Sequence, residues 1–236
     1  YNFSWQWDYA QLEVRQRFLG LFSETLSRYE FDGLELDFSR APFYFKPGQA
    51  VENIPVMTEF VHDARDIVLG YSDSSGRPVR LLVRVPTSIG GTLGIGIDTE
   101  GWLREGLVDV VILGGPGYCT QEIDTRRAVQ AAKKSGALVY TGFDSSTYMA
   151  SPQDGHERNP SAVIRATALN GYSHGARGVH LFNYDYSSHR PGPIQSNDVV
   201  KVVSMTVAGG GGGYTKHDLQ TIRDLADTDT LKRLNR

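Results

Sequence analysis

Cysteine is nearly absent from this chain of 236 residues, and several features that mark common classes of protein are absent as well. Cys119 is the single cysteine, which excludes an internal disulfide and a cysteine-rich zinc module. Positive charge is not in excess, because 24 lysines and arginines stand against 27 aspartates and glutamates. This balance argues against nucleic acid as the main partner. No apolar run approaches the roughly 20 residues that a membrane-spanning helix needs, so we expect no membrane span.

Short motifs of nucleotide binding, zinc catalysis and serine hydrolysis are missing or lie outside the local structure that their chemistry needs. The segment 90–96 is rich in glycine but lacks the spacing and the helix start of a Gly-x-Gly-x-x-Gly loop. None of the six histidines belongs to a His-Glu-x-x-His pair. Residues 171–175 (GYSHG) match Gly-x-Ser-x-Gly, but they end a predicted helix and do not form the strand-to-helix turn of a nucleophile elbow. The sequence therefore predicts no cofactor and no built-in metal site.

What the chain does have is a regular alternation of amphipathic helices and short apolar strands. Apolar residues at spacings of three and four predict the helices, and short alternating runs predict the strands. The predicted helices cover residues 11–30, 55–69, 101–105, 121–135 and 160–174, and the predicted strands cover 31–38, 79–85, 108–113, 137–143 and 178–183. This is the repeating order of a parallel α/β sheet.

Two architectures share that order, the open doubly wound sheet and the closed eight-stranded barrel. Polar residues at the strand ends, among them Asp37, Arg84 and Asp144, favour the barrel, whose sites collect at the carboxyl ends of several strands. Five strands cannot close a barrel of eight. The sequence thus predicts an α/β fold, a (β/α)8 TIM barrel that is truncated at its start. Strands four to eight would be present, and residues 1–5 would end the third.

Three segments are predicted along the chain. Residues 1–207 would form the partial barrel, with a helix over 197–207 after its last strand. Residues 208–214 consist mostly of glycine and predict a flexible hinge. Residues 215–236 predict a helical tail with a sparse apolar face.

The segment 32–40 holds the most informative residues. Alternation places its apolar side chains on one face of a strand and both Glu35 and Asp37 on the other. Since the apolar face of a barrel strand meets the helices, we expect both acids to point inward. A buried carboxylate without a partner costs several kcal/mol, and Arg84 and Arg40 are the candidate partners. The acids form either a structural ion network or a site; the position of Asp37 at the carboxyl end favours a site, and the deeper Glu35 favours the network.

A family resemblance appears in the same region and extends along most of the chain. It is carried by the segments 8–10 (DYA), 13–15 (EVR), 28–37 (RYEFDGLELD), 101–109 (GWLREGLVD) and 178–183 (GVHLFN). Their order and spacing resemble the glycosyl hydrolase-like family 10 group of barrel proteins. The resemblance implies strands four to eight of a (β/α)8 barrel that acts on carbohydrate.

Glycoside hydrolysis, which the resemblance implies, needs two carboxyl groups flanking the scissile bond. Asp37 is the predicted first one, as nucleophile or general acid/base. The second is either Asp144, just beyond the seventh strand, or Asp185, after the eighth, and the sequence leaves that choice open. Aromatic rings suit the apolar faces of sugars, and planar polar groups suit their hydroxyls. The predicted substrate-binding residues are Glu35, Arg40, Arg84, Tyr44, Tyr118 and Asn183.

The sequence therefore predicts a glycoside hydrolase that acts on a poly- or oligosaccharide. An alternative is a glycan-binding barrel without turnover, which the lack of a clear second acid favours. A third interpretation is a barrel hydrolase of another bond that recruits a metal.

Overall fold

The computed structural model of the chain describes residues 6–39, 41–114, 123–144, 160–182, 204–206 and 223–234. Within these ranges six parallel strands form one sheet in the order β1-β2-β3-β4-β5-β6. The strands are β1 (Gly33–Asp37), β2 (Arg80–Val85), β3 (Val110–Leu113), β4 (Leu138–Asp144), β5 (Gly178–Phe182) and β6 (Ser204–Thr206). The sheet is curled, as in part of an α/β barrel.

Helices alternate with these strands. They are α1 (Leu12–Arg28), α2 (Ile54–Ser75), α3 (Thr99–Glu105), α4 (Thr125–Ala132), α5 (Pro160–Ser173) and α6 (Thr228–Leu234), with short 3-10 helices at Val51–Asn53 and Gly91–Ile95. None of the helices in the described ranges is long and apolar enough to cross a membrane. The predicted α/β class with a parallel sheet is confirmed.

The five predicted strands are confirmed, and their ends shift by no more than two residues. The predicted helix over 197–207 is wrong where the chain is described, because Ser204–Thr206 form β6 and pair with β5. The physical reason lies in the composition of that segment, which holds five valines and Thr206. Such β-branched side chains favour strands over helices. The predicted strand end at 1–5 and the predicted hinge at 208–214 lie outside the described residues.

The main core lies between the outer face of the sheet and the helices. Leu81, Val83 and Val85 on β2 are completely buried there. Trp102 of α3 is also completely buried; its ring centroid is 5.7 Å from that of Phe38. Leu81, Val83 and Val85 thus face the helices, and the alternate residues of β2 face the concave side of the sheet.

A partly buried ion pair fixes the layer of helices to the amino ends of the strands. Arg65 on α2 donates both terminal nitrogens to Asp109, the residue just before β3. The same carboxylate accepts the backbone N–H of Leu81 on β2 at 2.8 Å. Asp109 therefore joins one helix and two strands.

The described part of the tail packs against α5. Tyr172 donates its hydroxyl to the carbonyl of Leu225 at 2.8 Å, and Arg165 pairs with Asp224 at 3.4 Å. Leu231 of α6 is buried in the same small apolar cluster as Leu225. Tyr172 and Arg165 both belong to α5, so residues 223–234 form a docked segment.

Candidate functional site

The concave face of the sheet carries a polar group at the carboxyl end of β1 and β2. Asp37 is the last residue of β1 and lies directly opposite Arg84 of β2. Arg84 Nη2 donates to Asp37 Oδ2 at 2.7 Å. The side chain of Arg84 is 1% exposed, whereas that of Asp37 is 37% exposed. The guanidinium thus lies beneath a carboxylate that solvent can reach.

Asp37 and Arg84 belong to a ring of hydrogen bonds that also includes Ser39 and Gly114. Asp37 Oδ1 accepts the backbone N–H of Ser39 at 2.8 Å. The Ser39 hydroxyl donates to the carbonyl of Gly114, and that carbonyl also accepts Arg84 Nη1 at 3.4 Å. Since Ser39 and Arg84 are both buried, the ring fixes both oxygens of Asp37 from below. The carboxylate is held in one orientation, with its outer edge toward solvent.

His180 and Phe182 of β5 lie on the same concave face, and the ring of Phe182 meets the guanidinium above β3 and β4. Arg84 Cζ lies 3.9 Å from the centroid of the Phe182 ring, and the His180 ring is stacked beside Phe182 with centroids 6.4 Å apart. His180 is completely buried. This burial, together with the positive charge of Arg84, lowers the pKa of His180 to about 4, and the negative charge of Asp37 opposes the change. His180 is therefore neutral at pH 7.

The lowered pKa of His180 predicts that the protein loses stability between pH 6.5 and pH 4. The unfolded chain takes up a proton on this histidine near pH 6.5, and the folded chain does so only near pH 4. Because the unfolded state binds more protons in that window, the free energy of unfolding falls as the pH falls. The difference corresponds to about 3 kcal/mol. Urea unfolding of the His180→Gln variant at pH 7 and pH 4 should show a drop smaller by about that amount.

His62 supplies the matched control for this measurement. It is an exposed histidine on α2, and its side chain is 54% exposed. The His62→Gln variant should keep the pH dependence of the unsubstituted protein. A His180→Gln variant whose stability falls with pH as steeply as that of the unsubstituted protein would contradict the assignment.

Glu35 lies on the same face of β1 as Asp37 and lines a cavity that Asp37 does not reach. This cavity has a volume of about 360 Å³ and is bounded by Asp32, Gly33, Glu35, Arg80, Leu82, Val110, Ile112 and Tyr140. Partial burial and the charge of Asp37 raise the pKa of Glu35, and Arg84 opposes them. The structure thus places Glu35 toward the amino ends of the strands, outside the hydrogen-bonded ring of Asp37.

Tyr44 lies under the site instead of at its surface. Its side chain is 7% exposed, and its hydroxyl donates to the carbonyl of Phe38. Its ring meets those of Tyr9 and Phe38 edge to face, at 5.9 and 5.5 Å. Burial, with a smaller contribution from Asp37, raises the pKa of its hydroxyl. Tyr44 thus packs beneath the loop that follows β1, and its contact with a substrate stays a prediction.

The other predicted site residues are placed less fully. Asp144 is the last residue of β4 and is in register with Phe182 of β5, so its backbone stands at the carboxyl edge of the sheet. Arg40, Tyr118, Asn183 and Asp185 lie outside the described residues. Across the ranges that the structure describes, no group of three or more histidine, cysteine, aspartate or glutamate side chains is placed to hold a metal ion.

Sequence reasoning missed the contributions of His180, Phe182, Gly114 and the backbone of Ser39. A signal for the first two was present, because Gly178, His180 and Phe182 alternate along a predicted strand as Glu35 and Asp37 do. The carbonyl of Gly114 and the N–H of Ser39 had no such signal, since every residue carries these groups.

No protein-family model matches the chain, and no curated protein matches it. One solved structure that matches is the methanol:cobalamin methyltransferase complex MtaBC from Methanosarcina barkeri. The identity is 12%, the TM-score is 0.49, and the match covers 98% of this chain and 67% of that one. Because no family model matches the chain, the expected membership of the glycosyl hydrolase-like family 10 group is wrong. The predicted glycoside hydrolase activity and the carbohydrate substrate, whether hydrolysed or only bound, are corrected with it.

Proposed function

We propose that the chain contributes six strands to a (β/α)8 barrel and binds a small polar molecule at their carboxyl ends. The sequential order of six parallel strands in one curled sheet supports the barrel, because strands of a barrel follow one another around the ring in chain order. Two further strands would close a ring of eight. The carboxyl ends of barrel strands are where the sites of such folds collect.

The buried Arg84 beneath the accessible carboxylate of Asp37 is the observation that supports binding. Each oxygen of Asp37 already accepts one hydrogen bond, from Ser39 N–H or from Arg84. A carboxylate has about four lone-pair positions, so two are not used by donors among the described residues, and we propose that a ligand uses them. These positions accept the O–H of an alcohol or the N–H of an ammonium group. Arg84 is 1% exposed and serves to orient Asp37.

The arrangement also preorganises the carboxylate for its ligand. A carboxylate held in one orientation by donors below it is directed toward a group above it. We propose that Asp37 accepts a hydrogen bond from the ligand hydroxyl or ammonium group while Arg84 and Ser39 keep the carboxylate in place.

Ligand-observed NMR with a panel of small alcohols and primary amines tests the proposal. Asp37→Asn removes the charge but keeps the shape, and should weaken binding about 10- to 100-fold, as expected for the loss of a hydrogen bond to a charged group. Asp66→Asn is the matched control, because Asp66 is exposed on α2 and should leave binding unchanged. If no compound of the panel binds, or if Asp37→Asn binds equally well, the proposal fails.

A further inference from the structure

We infer that Phe182, together with a strip free of side chains formed by Gly114 and Gly142, positions the guanidinium of Arg84 and through it the carboxylate of Asp37. The consequence for ligand binding rests on the function proposed above. The positioning itself rests on the contacts within the sheet and has its own readout.

The side chain of Arg84 reaches across two strands to meet Phe182. Arg84 is on β2 and Phe182 is on β5, with β3 and β4 between them. Neighbouring strands are about 4.8 Å apart, so in a flat sheet the two backbones would be separated by roughly 14 Å. Yet Arg84 Cζ lies 3.9 Å from the centroid of the Phe182 ring. The contact requires the curl of the sheet and a clear path above the two central strands.

Two glycines at the central strands leave the space through which the Arg84 side chain passes. Gly114 follows β3, and Gly142 lies beside it on β4, in register with His180. A Cβ atom on Gly114 would stand 3.0 Å from Gly142 Cα, and one on Gly142 would stand 3.1 Å from the carbonyl oxygen of Leu113. Both distances are shorter than ordinary contacts of a Cβ atom, so the closeness of the two strands excludes side chains here. The guanidinium occupies the space left open and donates to the Gly114 carbonyl.

The ring of Phe182 contacts the guanidinium of Arg84 directly. Arg84 Nη1 and Nη2 have acceptors, but Nε has no hydrogen-bond partner within the described residues. The face of the Phe182 ring, which carries partial negative charge, attracts the cation without an acceptor atom. Phe182 is 6% exposed, so water does not replace the ring. Phe182 is therefore a positioning residue for Arg84.

The test follows the Nε–H signal of Arg84 by NMR, assigned by its loss in Arg84→Lys. The ring of Phe182 shifts this signal away from that of a free arginine. Phe182→Leu should move it toward the free value, and Phe182→Tyr, which keeps the ring, should preserve it. Phe31→Leu is the matched control, since Phe31 is exposed and its ring is tilted against that of Tyr29, with centroids 5.7 Å apart. Phe182→Met provides a second ring-free variant of similar volume should the leucine variant fold poorly.

Binding of the compounds found with the alcohol and amine panel is the second readout. Loss of the ring should weaken binding about fivefold, which corresponds to ~1 kcal/mol for a cation–π contact. An Arg84 signal that does not move in Phe182→Leu or Phe182→Met overturns the inference. So does a signal that moves while affinity is unchanged. Neither result affects the function proposed for Asp37, which is tested by binding of the panel compounds and by Asp37→Asn.

Discussion

Replacing Asp37 with leucine should lower the free energy of unfolding by about 2–4 kcal/mol, somewhat less than for a fully buried ion pair, because the Asp37 side chain is 37% exposed. The variant leaves the charge of Arg84, which is 1% exposed, without its counter-ion. Within the described residues, the guanidinium also contacts a carbonyl at 3.4 Å and the ring of Phe182. Neither carries a full negative charge. Urea unfolding followed by circular dichroism measures the change.

A double variant separates the cost of the unpaired charge from the value of the pair. Asp37→Leu combined with Arg84→Met removes both charges and leaves two apolar side chains. Such replacements are often neutral or stabilising, so the double variant should recover most of the stability lost in Asp37→Leu. If it is as unstable as the single variant, the loss stems from packing, and the ion pair is not the cause.

Trp102→Ala should be the second highly destabilising change, with a loss of about 3–5 kcal/mol, as for other buried tryptophans and phenylalanines. Trp102 is completely buried between the sheet and the helices. Its Nε1 donates to the hydroxyl of Thr58 on α2 at 3.0 Å. Truncation to alanine creates a cavity beside Phe38 and leaves the Thr58 hydroxyl without this donor.

Trp7→Ala is the matched control for Trp102→Ala. Trp7 is 55% exposed, and exposed substitutions usually change stability by less than about 0.5 kcal/mol. Urea unfolding of both variants gives the comparison. Equal losses in the two variants would contradict the assignment of the core to the outer face of the sheet.

The fold and the Asp37–Arg84 pair could be predicted because both follow from local patterns. Alternation within β1 predicts the direction of Glu35 and Asp37, and the same alternation on the next strand predicts Arg84 as a partner. β6 could not be predicted as easily, because Asn197-Asp198 resembles a helix start. The ring of hydrogen bonds depends on the carbonyl of Gly114, which is 75 residues from Ser39. No local pattern reports a contact between backbone groups so far apart.

The family assignment failed because the matching motifs consist of residues that the α/β architecture itself requires. Gly106 ends α3 with a φ of 69°, a conformation that favours glycine. A Cβ atom on Gly178 would come within 2.1 Å of the Tyr140 ring. Asp109 joins Arg65 to the backbone of β2. These residues are needed for helix ends and for close packing between strands, and they do not specify a substrate.

A backbone amide chemical-shift map tests the site at Asp37 most directly. The protein is labelled with 15N and titrated with the compound of the alcohol and amine panel that binds most tightly. The carboxyl-end site predicts the largest changes at the amides of Ser39 and Gly114, and their loss in Asp37→Asn. Largest changes at Gly33 and Arg80, in the cavity at the amino ends, or an identical map in Asp37→Asn, would contradict it.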